Sequence, residues 1–147
     1  MGSRGTRRAA SRFPERPHKR ASMIHLDPSF LIHALVPSSP ADKRLRRWLR
    51  DADDLAISSI AWAEFLCGPV GTTEVDMVSA MFQEIATYTA ADSEMTARLF
   101  NLGGRRRGTL ADCMIAAVAI RAGAPLATSN PSDFERFASE SLTIVVA

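Results

Sequence analysis

Met23-Ile24-His25-Leu26-Asp27-Pro28-Ser29-Phe30-Leu31-Ile32 is the stretch that decides the fold. A short apolar run ends in an acid, Asp27-Pro28 interrupts it, and Phe30-Leu31-Ile32 starts a helical pattern, so the segment reads as a strand running into a helix. Working outward, apolar β-rich runs recur at Leu55–Ser58, Ile85–Thr89, Pro125–Thr128 and Leu142–Val146, after the first at Ile24–Asp27. The segments between the first four are long enough for crossover helices, which implies parallel pairing. One connecting helix announces its own start: Ser39-Pro40-Ala41-Asp42 places a cap, a proline at the first helical position and an acid at the third. It should run to about Asp51 with Leu45, Trp48 and Leu49 as its apolar stripe. The order β-α-β-α-β-α-β-α-β predicts an α/β three-layer sandwich: a five-stranded, mostly parallel sheet with helices on both faces.

The chain has 147 residues, 18 basic against 16 acidic, 46% hydrophobic and 23% charged, ordinary proportions for one folded domain. At this length roughly two-thirds of the unfolded surface can be buried, so neither a disulfide nor a structural metal is required. The longest run without Asp, Glu, Lys or Arg, Pro28–Ala41, holds three prolines and is too short to span a membrane. Cys67 and Cys113 lack metal-ligand neighbours at short spacing, and a reducing cytoplasmic compartment fits them best. Charge is distributed unevenly. Residues 1–22 carry seven basic side chains and one acid, while residues 23–147 carry 11 basic and 15 acidic, so a +6 tail precedes a −4 body. The tail, with little to bury, is expected to be disordered; it reads either as sequence from an upstream start or as a basic arm touching phosphates. The domain proper opens at Met23. Lys43, Arg44, Arg46, Arg47 and Arg50 crowd the helix after Pro40, either as a solvated face partly neutralised by Asp51, Asp53 and Asp54 or as an RNA contact.

In a sheet of this kind chemistry is expected in the crevice beyond the carboxyl ends of the strands. Asp27 ends the first strand, Glu64 lies in the helix after the second, Asp112 opens the helix before the fourth, and Asp133 sits just past the fourth. The first three are solitary: Ala21–Leu26 and Pro28–Ala41, Leu55–Ala63 and Phe65–Thr73, and Gly108–Ala111 and Cys113–Ile120 flank them without another Asp, Glu, Lys or Arg. Two such carboxylates about 4 Å apart would repel by roughly 4 kcal/mol at an effective dielectric of 20, so something must offset them. His33 stands two helical turns from Asp27 and no histidine completes a nucleophilic triad. A group of three or four carboxylates is a suitable host for Mg²⁺ or Mn²⁺, which supports in-line attack of water on a phosphodiester.

Local structure offers each acid another role. Thr109-Leu110-Ala111-Asp112 reads as a capping box. Asp27 could cap the helix at Pro28, Glu64 could reach solvent, and Asn130-Pro131-Ser132-Asp133 reads as a helix start with Asn130 as cap.

Taken together, these residues resemble the PIN-domain ribonucleases, and within them the VapC-type toxins of bacterial toxin–antitoxin pairs. Met23–Ile32 is similar to the family's opening. Ile57-Ser58-Ser59-Ile60-Ala61-Trp62-Ala63-Glu64-Phe65-Leu66-Cys67-Gly68 is similar to its second motif. Thr109–Ala119 resembles the third, the most specific, and Leu126-Ala127-Thr128-Ser129-Asn130-Pro131-Ser132-Asp133-Phe134 the fourth. The resemblance covers Met23 to about Val146. Pro28 departs from the Thr or Ser more usual in the family, and the fourth acid is open between Asp133, which matches the family's acid before Phe, and Asn130. The resemblance implies Mg²⁺-dependent hydrolysis of RNA, with Mn²⁺ as a substitute, leaving a 5′-phosphate and a 3′-hydroxyl. It implies Asp27 and Asp112 as principal metal ligands, Glu64 and Asp133 in support, an antitoxin partner that occupies the site, and a homodimer. Arg105-Arg106-Arg107, between Gly103-Gly104 and Gly108, could hold the substrate backbone, with Thr128 and Asn130 beside it, or form a solvated loop. Two other readings differ in class. An inactive scaffold of the same fold would only bind RNA. A phosphorelay receiver, also an acidic five-stranded α/β domain, needs a lysine at the end of its last strand, and neither lysine of this chain, Lys19 or Lys43, stands at that position in the sequence.

Overall fold

The computed structural model describes residues 23–147; the basic segment 1–22 lies outside the described residues. The chain runs β1 (Ile24–Leu26), α1 (Pro28–Ala34), α2 (Pro40–Arg50), β2 (Leu55–Ser58), α3 (Ser59–Cys67), α4 (Thr72–Ser79), β3 (Glu84–Ala86), α5 (Ala90–Leu102), α6 (Leu110–Ala122), β4 (Leu126–Thr128) and β5 (Ile144–Val146). All neighbouring strands are parallel, in the order β3-β2-β1-β4-β5. The chain therefore builds outward from β1 to β3, then returns to β1's other side for β4 and β5. That reversal creates a topological switch point between β1 and β4, where an open α/β sheet leaves a crevice at the strand ends.

Every residue of β1, β2 and β4 is buried, as expected of parallel strands covered on both faces. The outer strands β3 and β5 are partly exposed. Phe30, Phe65, Phe134 and Phe137 fill the core with Leu26, Leu55, Ile57, Leu99, Ile115 and Leu126. The middle of α6, Ile115 to Ala119, is wholly buried; its alanines let neighbouring elements approach closely. Gly123 ends that helix at φ +61°, a left-handed conformation that favours glycine.

The start of α2 follows the sequence reading: Ser39 accepts a hydrogen bond from the Asp42 amide at 3.0 Å. Leu45 is buried and Trp48 stacks on Phe30 with ring centroids 5.3 Å apart, but Leu49 remains 41% exposed. Two expectations are corrected. The third strand was expected over Ile85–Thr89 and instead ends at Ala86, because Thr89 joins a capping box with Asp92 and starts α5. Between β4 and β5 an α-helix was expected, and the chain makes two 3-10 segments, Pro131–Asp133 and Glu135–Glu140, ended by Ser141 at φ +70°.

Candidate active site at the strand ends

Asp27 stands at the switch point. Its amide donates to the Ala127 carbonyl at 2.9 Å, which extends the β1–β4 ladder by one step and fixes the side chain above the sheet edge. It occupies the cap position of α1, yet its carboxylate caps nothing. It accepts hydrogen bonds from the Ser29 and Thr128 hydroxyls instead, the latter at 3.0 Å. Asp27 is 5% exposed and Thr128 is completely buried. Ser29 in turn accepts the Ser129 amide at 3.1 Å, and the Asn130 amide donates to Thr128 at 3.0 Å, so the β4 exit loop is tied to the Asp27 site.

Asp112 comes from the first turn of α6, and here the expected capping box does not form. Thr109 makes no side-chain cap bond; its hydroxyl donates to the Arg106 carbonyl at 2.7 Å. The Asp112 carboxylate is thus not engaged with its own helix. Burial and the charges of Asp133, Asp27 and Glu64 push its pKa up to about 7, with Arg136 acting in the opposite direction. Burial also raises the Asp27 pKa, opposed by the Ser29 and Thr128 bonds and reinforced by the charge of Asp133. Glu64, more open, is raised by partial desolvation and by Asp27. Asp27, Glu64 and Asp133 therefore all act on Asp112, and Asp133 acts on Asp27 as well. The end of β1, the helices α3 and α6 and the 3-10 segment after β4 carry the four acids, near enough for their charges to be felt from one to another.

Asn130 is exposed and its side chain caps nothing, so its expected helix-capping role is not realised. Asp133 lies in the first 3-10 segment, half-buried, and is the one of the pair whose charge reaches Asp27 and Asp112. Arg105, Arg106 and Arg107 are exposed on the loop between α5 and α6, whose bend uses positive φ at Gly104, Arg105 and Gly108. Arg105 is tied back to Asn101 at 2.7 Å. The cation felt by Asp112 is Arg136, which the sequence did not single out. Its guanidinium lies 4.5 Å from the Phe137 ring, with two nitrogens buried and unpartnered, and it packs where a Cβ on Gly103 would fall. Ser29 likewise carries no mark in the sequence; its place beside Thr128 and Ser129 is a tertiary fact. His25 points to other surroundings: burial and the charge of Arg121 lower its pKa to about 4, which keeps it neutral.

The donor set is all oxygen, as a hard divalent cation requires. Among the described residues no three His, Cys, Asp or Glu side chains converge at coordinating distance. Mg²⁺ is commonly held by one or two carboxylates, with water and substrate phosphate completing its shell, so Asp27 with Asp112 fits that habit better than a closed protein cage.

The sequence pattern of the PIN domain matches residues 24–140, and the chain belongs to that family. The fold is shared with solved toxin–antitoxin structures. VapBC2 from Rickettsia felis, bound to a DNA fragment from its promoter, aligns with TM-score 0.69 at 22% identity, covering 85% of this chain and 98% of that one. VapBC-1 from nontypeable Haemophilus influenzae aligns with TM-score 0.65 at 18% identity, covering 84% and 97%. VapBC-5 from Mycobacterium tuberculosis aligns with TM-score 0.59 at 24% identity, covering 86% and 99%. No match is found among curated proteins.

Proposed function

We propose that the chain is a metal-dependent endoribonuclease, the toxin of a toxin–antitoxin pair. The observation that carries this reading is the Asp27 carboxylate, buried at the switch point, held by Ser29 and Thr128 and paired with no cation among the described residues, in a chain that the PIN domain matches over residues 24–140; burial and neighbouring acids raise the Asp112 carboxyl as well. An arrangement that destabilises its own charges is explained by a counter-charge brought by a ligand. Asp27 and Asp112 would hold Mg²⁺, or Mn²⁺ in its place, with Glu64 and Asp133 in support. When bound, the ion supplies counter-charge and Lewis acidity toward a phosphodiester. The protein's part is positional: Ser29 and Thr128 fix the Asp27 carboxylate, Asp133 and Glu64 add negative charge, and Asp27 is shielded from bulk water. Arg105, Arg106 and Arg107 would contact the RNA backbone, with the exposed Asn130 beside its path; Thr128, expected there as well, is completely buried and would act only by holding Asp27.

Fold relatives are solved as VapBC complexes, which supports a protein antitoxin as partner. A guanidinium fork binding two of Asp27, Glu64 and Asp112 would neutralise the crevice and displace metal. The reading includes a homodimer in the cytoplasm; Cys67 and Cys113 are both free thiols, and no described helix is long and apolar enough to cross a membrane. The test is incubation of the purified protein with mixed structured RNAs, with Mg²⁺ or with EDTA, followed by analysis of the product ends. Mg²⁺-dependent products bearing 5′-phosphates are expected. Cleavage that persists undiminished in EDTA would refute the metal-dependent reading.

A further inference from the structure

The basic residues of α2 are not spread evenly around the helix. Pro40, Lys43, Arg44 and Arg47 follow the i, i+3, i+4, i+7 spacing of one face, and with Val146 and Ala147 they line a groove of about 330 Å³. Lys43, Arg44 and Arg47 are exposed, and among the described residues none has a carboxylate within 4 Å. Among the described residues the helix's one ion pair is Arg46 with Asp42, at 2.8 Å, and Arg46 lies outside this groove. Lys43 sits in the first turn, where the helix dipole disfavours a cation, so helix stability does not account for it.

The groove lies on the edge of the sheet that carries the acids. Val146 is the register partner of Thr128, and Thr128 donates to Asp27. Two strand spacings, about 10 Å, separate Asp27 from Val146 along that edge. A polyanion with one phosphate at the acidic crevice would have neighbouring phosphates within reach of Lys43, Arg44 and Arg47. The crevice itself repels such a strand until metal is bound, so the cations that retain it have to stand to one side.

We propose that this groove between α2 and the end of β5 is a phosphate-binding subsite for single-stranded RNA leading into the acidic crevice. The inference rests on the ribonuclease reading above and adds where the strand runs. Arg44 lies 5.9 Å from the Trp48 ring, which steadies its guanidinium beside the groove. The subsite retains substrate through its backbone and takes no part in bond cleavage, so it confers affinity and salt dependence without base preference.

The test compares two double variants of equal charge on the same helix. Lys43→Gln/Arg47→Gln removes groove cations; Arg46→Gln/Arg50→Gln removes cations outside it. Binding of the full chain to a fluorescent single-stranded RNA is followed by anisotropy in EDTA across a salt series, so the readout is independent of cleavage. The groove pair should weaken binding about 5- to 20-fold near 0.1 M salt and reduce the slope of log K against log salt by about 1.4, two phosphate contacts at about 0.7 each. The outer pair should change affinity less than twofold. In the cleavage reaction the groove pair should raise KM for long RNA and leave kcat unchanged. Equal losses from both pairs, or none from the groove pair while the unaltered protein binds RNA, would overturn the subsite alone. An unaltered protein that neither binds nor cuts RNA would overturn the ribonuclease reading as well.

Discussion

Replacing Asp112 with Asn should make the metal-free protein more stable. In the folded chain Asp112 titrates at about 7, against 3.8 for an unperturbed aspartate. A displacement of about 3 pH units corresponds to about 4 kcal/mol in favour of unfolding for a fully buried group; Asp112 is only half-buried, and solvent screening reduces this to about 2 kcal/mol once the group is ionised. Because the folded pKa is the higher one, this penalty is absent below pH 3.8, grows as pH rises from about 4 to 7, and is constant above. Asparagine removes the charge and keeps a half-buried polar group whose open side still reaches water, at a cost of about 1 kcal/mol. A net gain of about 1 kcal/mol remains. At about 4 °C per kcal/mol for a domain of this size, the midpoint should rise by about 4 °C. Thermal melts in EDTA near pH 8 and near pH 5 provide the assay. The variant should lead clearly at pH 8, and the difference should shrink by more than half at pH 5. Excess Mg²⁺ should raise the wild-type midpoint and leave the variant's nearly unchanged. A variant that melts at or below wild type at pH 8 in EDTA would show that the cluster does not repel itself.

The Arg121–Asp92 pair, at 2.7 Å with the Asp92 side chain 1% exposed, should behave in the opposite sense. Burial works to raise the Asp92 pKa, but hydrogen bonds from Arg121 and Thr89 outweigh it and hold the carboxyl below its usual range. Arg121→Ala should therefore cost about 1–3 kcal/mol at pH 7, discounted for the exposed arginine; the deficit should fade in acid as Asp92 protonates, and a pH-independent deficit would assign it to packing. Asp133→Asn should reduce cleavage with partial recovery in Mn²⁺, while Asn130→Ala should leave both melting temperature and rate near wild type. A dead Asn130→Ala protein of normal stability would transfer the fourth position to Asn130. A chain beginning at Met23 should melt within about 2 °C of the full chain by calorimetry; a large drop would place residues before Met23 in the fold.

Strand positions, parallel pairing and the solitary acids were legible because each leaves a local mark: an apolar run, a crossover length, a carboxylate without a neighbouring charge. The errors arose where one local pattern had two outcomes. Thr109 and Asp112 satisfy the capping-box spacing, yet Thr109 closes the preceding turn through Arg106, and Asp112 is left to the crevice. Thr89 and Asp92 have the same spacing and do form the box, at the expense of the end of the third strand. Asn130-Pro131 fits a helix start but begins a 3-10 segment with no side-chain cap. What could not be read was contact between residues far apart in the chain. Ser29 meets Thr128 across 99 positions and Arg136 comes to lie near Asp112, and neither residue is distinguished by its own neighbours in sequence.

The central claim is that the carboxylate crevice performs metal-dependent RNA cleavage, and the most direct measurement is the single-turnover cleavage rate of Asp112→Asn beside wild type, in Mg²⁺, on one RNA substrate. The account predicts a folded variant, at least as stable as wild type without metal, whose rate falls at least a hundredfold. A folded variant that cleaves at the wild-type rate would contradict it.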